Sequence, residues 1–290
     1  MTEDSETIVR VVRDEALAVE WELVLLSEGL APRLHHTGDG IVLTVPRYEL
    51  DRALSGLAAY EEENSAKARQ PAIPASSIDL QAGAVTGLLL LGFFAVTVVW
   101  NSTVAWLERG SANAARILDG ELWRTVTALT LHADLVHALS NAFAIVVFFG
   151  AVSGQLGKGI SSALILLAGA GGNLSNAYLR GPPHDAVGAS TAVFGAVGIV
   201  GSLAMMRNRE MGNRRGAWVG IAAALALLGM LGSGGARVDV MAHALGFLIG
   251  AALAMLVGLT LPRSRGGDVQ WKCGVAAVAL IVYCWMLALA

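Results

Sequence analysis

The chain has 290 residues, of which 55% are hydrophobic and 15% charged, with 34 glycines and a mean hydropathy of +0.60. This composition points away from an ordinary soluble protein and fits a protein built for a bilayer. Charge is segregated, since residues 1–80 hold 15 acidic and 7 basic groups, a net −8, while 81–290 hold 8 and 13, a net +5.

The acidic start of the chain lacks a basic stretch followed by an apolar core, so no signal peptide is expected and the first apolar run should act as its own insertion signal. Residues from about 8 to 63 read as helix, strand, strand, helix. Asp14 to Leu30 has helical spacing, and Gly38-Asp39-Gly40 is a turn between Pro32–His36 and Ile41–Val45. A second helix is expected to open near Pro46, where a missing N–H matters little, and to run to Glu63. Residues 1–63 are thus expected to form a small cytosolic α+β accessory domain. The Ala-, Ser- and Pro-rich stretch 64–80 reads as a linker.

Seven apolar runs follow, at about 82–100, 137–154, 159–179, 187–206, 217–232, 240–261 and 273–290. A crossing takes about 20 residues, so the shorter runs imply helices packed inside the others. Lys67, Arg69, Lys158, Arg207, Arg209, Arg214, Arg215, Arg263, Arg265 and Lys272 flank one side, and Arg109, Arg116, Arg124, Arg180 and Arg237 the other. The positive-inside rule then places the N-terminal module in the cytoplasm and the C-terminus outside, in a plasma membrane. Glycines recur as Gly195, Gly198 and Gly201 in the fourth run and as Gly246 and Gly250 in the sixth, a spacing that lets two helices touch. Cys273 and Cys284 are about 16 Å apart along one helix, too far to bridge.

Polar residues inside these runs are the informative ones. Counting back from the charged flanks of the runs, with Pro262 beside Arg263 as the mark for the sixth, at about 1.5 Å per residue, Ser190 lies roughly 25 Å from Arg207, His243 roughly 28 Å from Pro262, and Asn141 and His137 roughly 25 and 31 Å from Lys158. Four polar groups from three helices therefore share one level, somewhat below the outer surface. Ser190 alone would be a helix cap, and Asn141 or His243 alone a hydrogen bond between helices. Together they have distinct jobs to offer. A neutral imidazole suits the deprotonation of a serine, and His137 and Asn141, four residues apart on one face, can donate hydrogen bonds with the Ser190 amide to a developing oxyanion.

Taken in order, Trp123-Arg124, His132-x4-His137-x3-Asn141, Gly188-Ala189-Ser190 with Phe194-Gly195, and Ala242-His243-x2-Gly246-x3-Gly250 resemble the rhomboid family of intramembrane serine proteases over about residues 80–261. The resemblance implies an all-α polytopic membrane protein, a bundle of six core transmembrane helices (81–261) with a seventh (262–290), preceded by the small soluble module. It implies that Ser190 is the nucleophile, His243 the general base and acid, and His137, Asn141 and the Ser190 amide the oxyanion hole. His132, Trp123 and Arg124 resemble structural elements of the first loop, and Gly188, Gly195, Gly246 and Gly250 the helix-packing positions. Substrates would be transmembrane proteins, met in the lipid bilayer and cut toward its outer side.

Two positions depart from the family pattern. Thr191 stands where many members have Gly, a place from which it can crowd the oxyanion region or substrate access, and Leu245 stands where they have a small residue, a place from which it can loosen the packing of the fourth and sixth spans; neither removes a reactive group, and activity is the favoured reading. These departures keep open a catalytically silent protein that binds membrane clients, and a transporter is a third reading. No cofactor or metal is implied, because His132, Asp134, His137 and His243 lack the H-E-x-x-H spacing of a zinc site. Nucleic acid is not an expected partner, given the acidic soluble part.

Overall fold

A computed structural model of the chain describes residues 6–38, 40–68, 78–99, 103–213, 239–260 and 266–290, with isolated positions between 214 and 238. The chain divides into two units, Met1–Ile73 and Pro74–Ala290. In the first, β1 (Glu6–Val12), β2 (Arg33–Thr37) and β3 (Gly40–Pro46) form an antiparallel sheet in the order β1-β3-β2, with α1 (Glu15–Ser27) and α2 (Leu50–Ala68) packed on it. Asp14 caps α1 by accepting the Ala16 N–H at 2.9 Å. The core gathers Val9, Leu25, Leu43, Val45, Ala53 and Leu57.

Three details of this unit differ from the sequence reading. β1 is a third strand, and its register shifts between Ile8 and Arg10, a bulge that breaks the period-2 alternation by which a strand is recognised. Pro46 closes β3 instead of opening a helix; a 3₁₀ turn, Arg47–Glu49, comes between it and α2. Residues 64–68, read as linker, are helical, while 69–77 lie outside the described residues.

The second unit is helical: α3 (Leu80–Val99), α4 (Thr103–Gly110), α5 (Ala114–Leu118), α6 (Arg124–Thr127), α7 (Leu135–Leu156), α8 (Lys158–Arg180), α9 (Ser190–Glu210), α10 (Val240–Thr260) and α11 (Gly267–Leu289). Among the described residues, α3, α7, α9, α10 and α11 are long and apolar enough to cross a membrane. α8 is as long but more polar. It lies against α7, α9, α10 and α11, and its Ser161, Asn173 and Asn176 are buried there. Six of the seven expected runs are thus helices, and nearly all of the fifth, 217–232, lies outside the described residues. α4 to α6 fill the interval before His132, where no helix was legible.

Lipid tails are as apolar as the helices themselves, so close backbone packing must hold the helices together. On α3, a Cβ at Gly83 would fall 2.3 Å from the Val146 carbonyl oxygen of α7, and one at Gly87 3.0 Å from that of Ala142. The seam between α9 and α10 is equally tight. A Cβ at Gly246 would fall 2.2 Å from the Thr191 carbonyl oxygen, one at Gly250 2.1 Å from that of Gly195, and one at Gly198 2.1 Å from that of Phe247. The fourth and sixth runs do touch, and Leu245, half-buried beside Gly246, does not hold them apart.

α11 is fastened at both ends. Near its start, Gln270 Oε1 accepts the Gly159 and Ile160 N–H groups at 2.9 and 3.2 Å, and its Nε2 donates to the Leu156 carbonyl at 2.7 Å. One side chain therefore serves the last turn of α7 and the first turn of α8. Near the other end, Trp285 Nε1 donates to Thr130 Oγ1 at 3.1 Å, with the ring packed against Phe93 and Trp106. Gln270→Ala leaves three part-buried backbone groups without that partner. It is expected to lower stability by about 1–3 kcal/mol, readable as a lower melting temperature in detergent micelles.

Candidate active site

The site lies where the first turn of α9 meets the first turns of α7 and α10. Gly188 has φ +124, a conformation that L side chains rarely adopt, and its N–H donates to the Ala128 carbonyl at 2.9 Å. The chain turns there into α9. A Cβ at Gly188 would lie 2.7 Å from Nε2 and Cε1 of His137 and 3.7 Å from Nδ2 of Asn141, so both side chains face the backbone two residues before Ser190.

Ser190 is the first residue of α9 and not its cap, a position held by Ala189 without any side-chain bond. Its hydroxyl is 2.8 Å from His243 Nε2. With Nε2 as the unprotonated ring nitrogen, the hydroxyl donates and the imidazole is poised to receive its proton. His243 is 6% exposed, whereas Ser190 is only half-buried and open to a reactant. Phe194, one turn along α9, stacks on the imidazole with centroids 4.5 Å apart and planes at 29°. Among the described residues, no group partners His243 Nδ1, so the pair is a dyad without a third, orienting side chain.

His137 and Asn141 sit on the face of α7 nearest this turn. Asp134 caps the helix by accepting the His137 N–H at 2.8 Å, so its carboxylate belongs to the helix end. Asn141 is buried and its Nδ2 donates to the His137 carbonyl at 3.0 Å. His132 is 1% exposed, its ring 5.0 Å from that of His137 in an edge-to-face arrangement, and its Nε2 accepts the Ala189 N–H at 3.4 Å. Burial, with the adjacent His137, pushes its pKa down to about 4 against the pull of the Thr130 carbonyl and Asp134. A ring that stays neutral at pH 7 can accept that N–H.

Trp123 and Arg124 stand farther off. Arg124 is buried, its Nε donating to Glu121 Oε2 at 2.6 Å and its Nη1 to the Ser111 carbonyl at 3.2 Å, which ties 111–124 together. Trp123 packs against the cluster of Leu129, Leu166, Ala192 and Cys284.

Thr191 does not crowd the oxyanion side. Its Cγ2 occupies the notch left by two glycines, 2.6 Å from where a Cβ of Gly172 would be and 3.0 Å from one of Gly246, so the methyl points into the α8–α9–α10 seam. Gly172 stands in none of the sequence motifs, whereas the i, i+4 spacing of Phe194 from Ser190 is a signal that places both on one face of α9. Asp239, four residues before His243, likewise stands in none of the motifs.

A family model described as the Rhomboid domain matches residues 119–260, from the turn before α6 through α10. Over 161 residues the chain is 32% identical to the Putative rhomboid protease YdcA of Bacillus subtilis strain 168, spanning 55% of this chain and 76% of that protein. It is 29% identical over 199 residues to the Rhomboid protease GluP of the same organism, 67% of this chain and 38% of the other. A third similarity, 31% over 90 residues, is to the mitochondrial RHOMBOID-like protein 6 of Arabidopsis thaliana, covering 31% of this chain and 29% of that one.

Proposed function

The chain belongs to the rhomboid family, and from that premise we propose that this multi-pass membrane protein is a serine endopeptidase with a two-residue dyad, cutting transmembrane segments of other membrane proteins. The observation that carries the reading is the 2.8 Å contact between Ser190 Oγ and His243 Nε2. Ser190 Oγ attacks the scissile carbonyl while His243 Nε2 takes the hydroxyl proton and passes it to the leaving amine. A water, deprotonated by the same nitrogen, then attacks the acyl ester and releases Ser190.

The tetrahedral oxyanion needs donors already in place, because reorganising them during the reaction would forfeit most of their effect. The Ser190 amide, in the first turn of α9 where N–H groups have no partner within the helix, is one. His137 and Asn141, facing Gly188, are the others. A paired carbonyl inside a substrate helix is closed to attack, so small and helix-breaking residues around the cut are the expected requirement. In the orientation set by the flanking Lys and Arg residues, the site opens toward the outer side of the plasma membrane and the N-terminal unit lies in the cytoplasm.

Thr191 and Leu245 are the two departures that favour a silent, client-binding protein; the Thr191 methyl lying in the helix seam and the closed seam beside Leu245 support the active reading instead. The test is Ser190→Ala in proteoliposomes with a fluorogenic transmembrane substrate. Cleavage should fall to background, and covalent labelling by a serine-directed fluorophosphonate should disappear with it. Cleavage that continues at the wild-type rate would sink the assignment.

A further inference from the structure

The dyad bond joins two helices, and its 2.8 Å length holds only if the first turn of α10 keeps its height and rotation relative to the first turn of α9. Below the dyad, the glycine seam brings the helices together through contacts between small groups, which resist separation but have little directional preference. Directional bonds are found on the other side, around Asp239, immediately before α10. Asp239 Oδ1 accepts the Ala242 N–H at 3.1 Å, and its main-chain carbonyl accepts the His243 N–H at 3.1 Å, so one residue caps the turn that carries the imidazole. Its Oδ2 accepts Asn176 Nδ2 of α8 at 2.6 Å and faces His184 Nε2, also at 2.6 Å, while Arg180 Nη2 stands 3.6 Å from Oδ1.

His184 belongs to the segment 181–189 that leads into Ser190. That segment is itself fixed, because the His184 and Ala186 carbonyls accept the Ala114 and Ala112 N–H groups at 2.9 and 2.8 Å. Asn176 is 2% exposed and the Asp239 side chain 14%. Burial alone would raise the Asp239 pKa. The Ala242 N–H, the charge and hydrogen bond of His184 and the Asn176 amide outweigh it and hold the carboxyl below its usual range. Asp239 is therefore a carboxylate at neutral pH, and charge-assisted bonds of this kind are both stronger and more directional than neutral ones.

We propose that Asp239 is a positioning residue of the reaction, locking the His243-bearing turn of α10 to α8 and to the segment before Ser190 through Asn176 and His184. It touches neither substrate nor the reacting atoms. It acts by setting where His243 Nε2 stands. The inference rests on the Ser190–His243 reading of the site.

The experiment measures the fluorophosphonate labelling rate of Ser190 per folded molecule in proteoliposomes, together with kcat and KM on the transmembrane substrate, for wild type, Asp239→Ala, Asp239→Asn and Asn176→Ala. Asp239→Ala is expected to lower both the labelling rate and kcat at least about tenfold with KM changed less than about twofold, since loss of alignment costs turnover and not substrate binding. Asp239→Asn keeps the helix cap and should fall between, and Asn176→Ala, which leaves the cap untouched, should lower labelling in the same direction. A merely structural Asp239 would lower the melting temperature while leaving labelling per folded molecule within twofold of wild type, and that result overturns the proposal. Should Asp239→Ala fail to fold, Asp239→Asn and Asn176→Ala decide by the same criterion. Failure of the wild-type protein itself to label overturns the dyad reading instead, so the two failures are distinct.

Discussion

Replacing His243 with alanine is expected to lower the turnover of a transmembrane substrate by about 10⁴-fold or more, the loss seen when one member of a nucleophile–base pair is removed. The magnitude follows from the chemistry of a serine hydroxyl, which is a poor nucleophile until a base takes its proton. Among the described residues, no substitute base stands by. His137 faces Gly188, and His132 is 1% exposed and accepts the Ala189 N–H. The fold should survive, because His243 Nδ1 has no partner among the described residues to be stranded, and Ser190 is open enough for water to replace the lost bond. The stacking on Phe194, worth about 1 kcal/mol, is forfeited together with the packing of a ring that is 6% exposed, so the variant should melt lower while keeping the fold. Residues that act as a unit are non-additive, so the double variant Ser190→Ala/His243→Ala should be no slower than either single one. A double variant slower by a further factor of a hundred would mean that the two side chains work independently. Turnover measured beside a melting curve in the same micelles separates lost chemistry from lost fold.

The second large effect is expected at Gly246. A methyl group there would fall 2.2 Å from the Thr191 carbonyl oxygen, a backbone atom that cannot rotate aside, so α9 and α10 must part. Gly246→Ala should lower stability by about 1–3 kcal/mol, the usual consequence of overpacking. Because Ser190 and His243 stand on those two helices, turnover should fall well beyond what the unfolded fraction explains. Gly258→Ala is the control. Its methyl would meet the tip of Met206, 2.0 Å from Cε, at the far end of a side chain that can swing away. The melting temperature of Gly258→Ala should stay close to wild type. Equal losses at both positions would show that any added methyl on α10 harms the protein, and that the seam has no special role.

How far the molecule could be read from its sequence depended on whether a feature is local. The long helices were legible because apolar runs of about twenty residues admit few other structures. The meeting of Ser190 with His243, and of His137 and Asn141 with Gly188, was approachable from sequence because each side chain lies on a regular helix whose rise can be counted from its flank. β1 was missed because its bulge removes the alternation on which strand recognition depends. α4, α5 and α6 span only 8, 5 and 4 residues, too short for a helical period to declare itself. The role of Thr191 is not legible in the sequence for another reason. Its neighbours in the chain place it beside the reacting serine, but the direction of its methyl is set by Gly172, nineteen residues earlier on another helix. Asp239 illustrates the same limit, since its value lies in Asn176 and His184, which no local pattern joins to it.

Gln270 also dictates an order of events in biosynthesis. The amide of Gly159 waits for a side chain 111 residues farther along the chain. At a synthesis rate of about 5–20 residues per second, roughly 5 to 20 seconds pass between the making of the α7–α8 junction and the arrival of the group that completes it. During that interval the Leu156 carbonyl and the Gly159 and Ile160 amides, which flank Lys158 at the end of the α7–α8 hairpin, must be met by water in place of the Gln270 side chain.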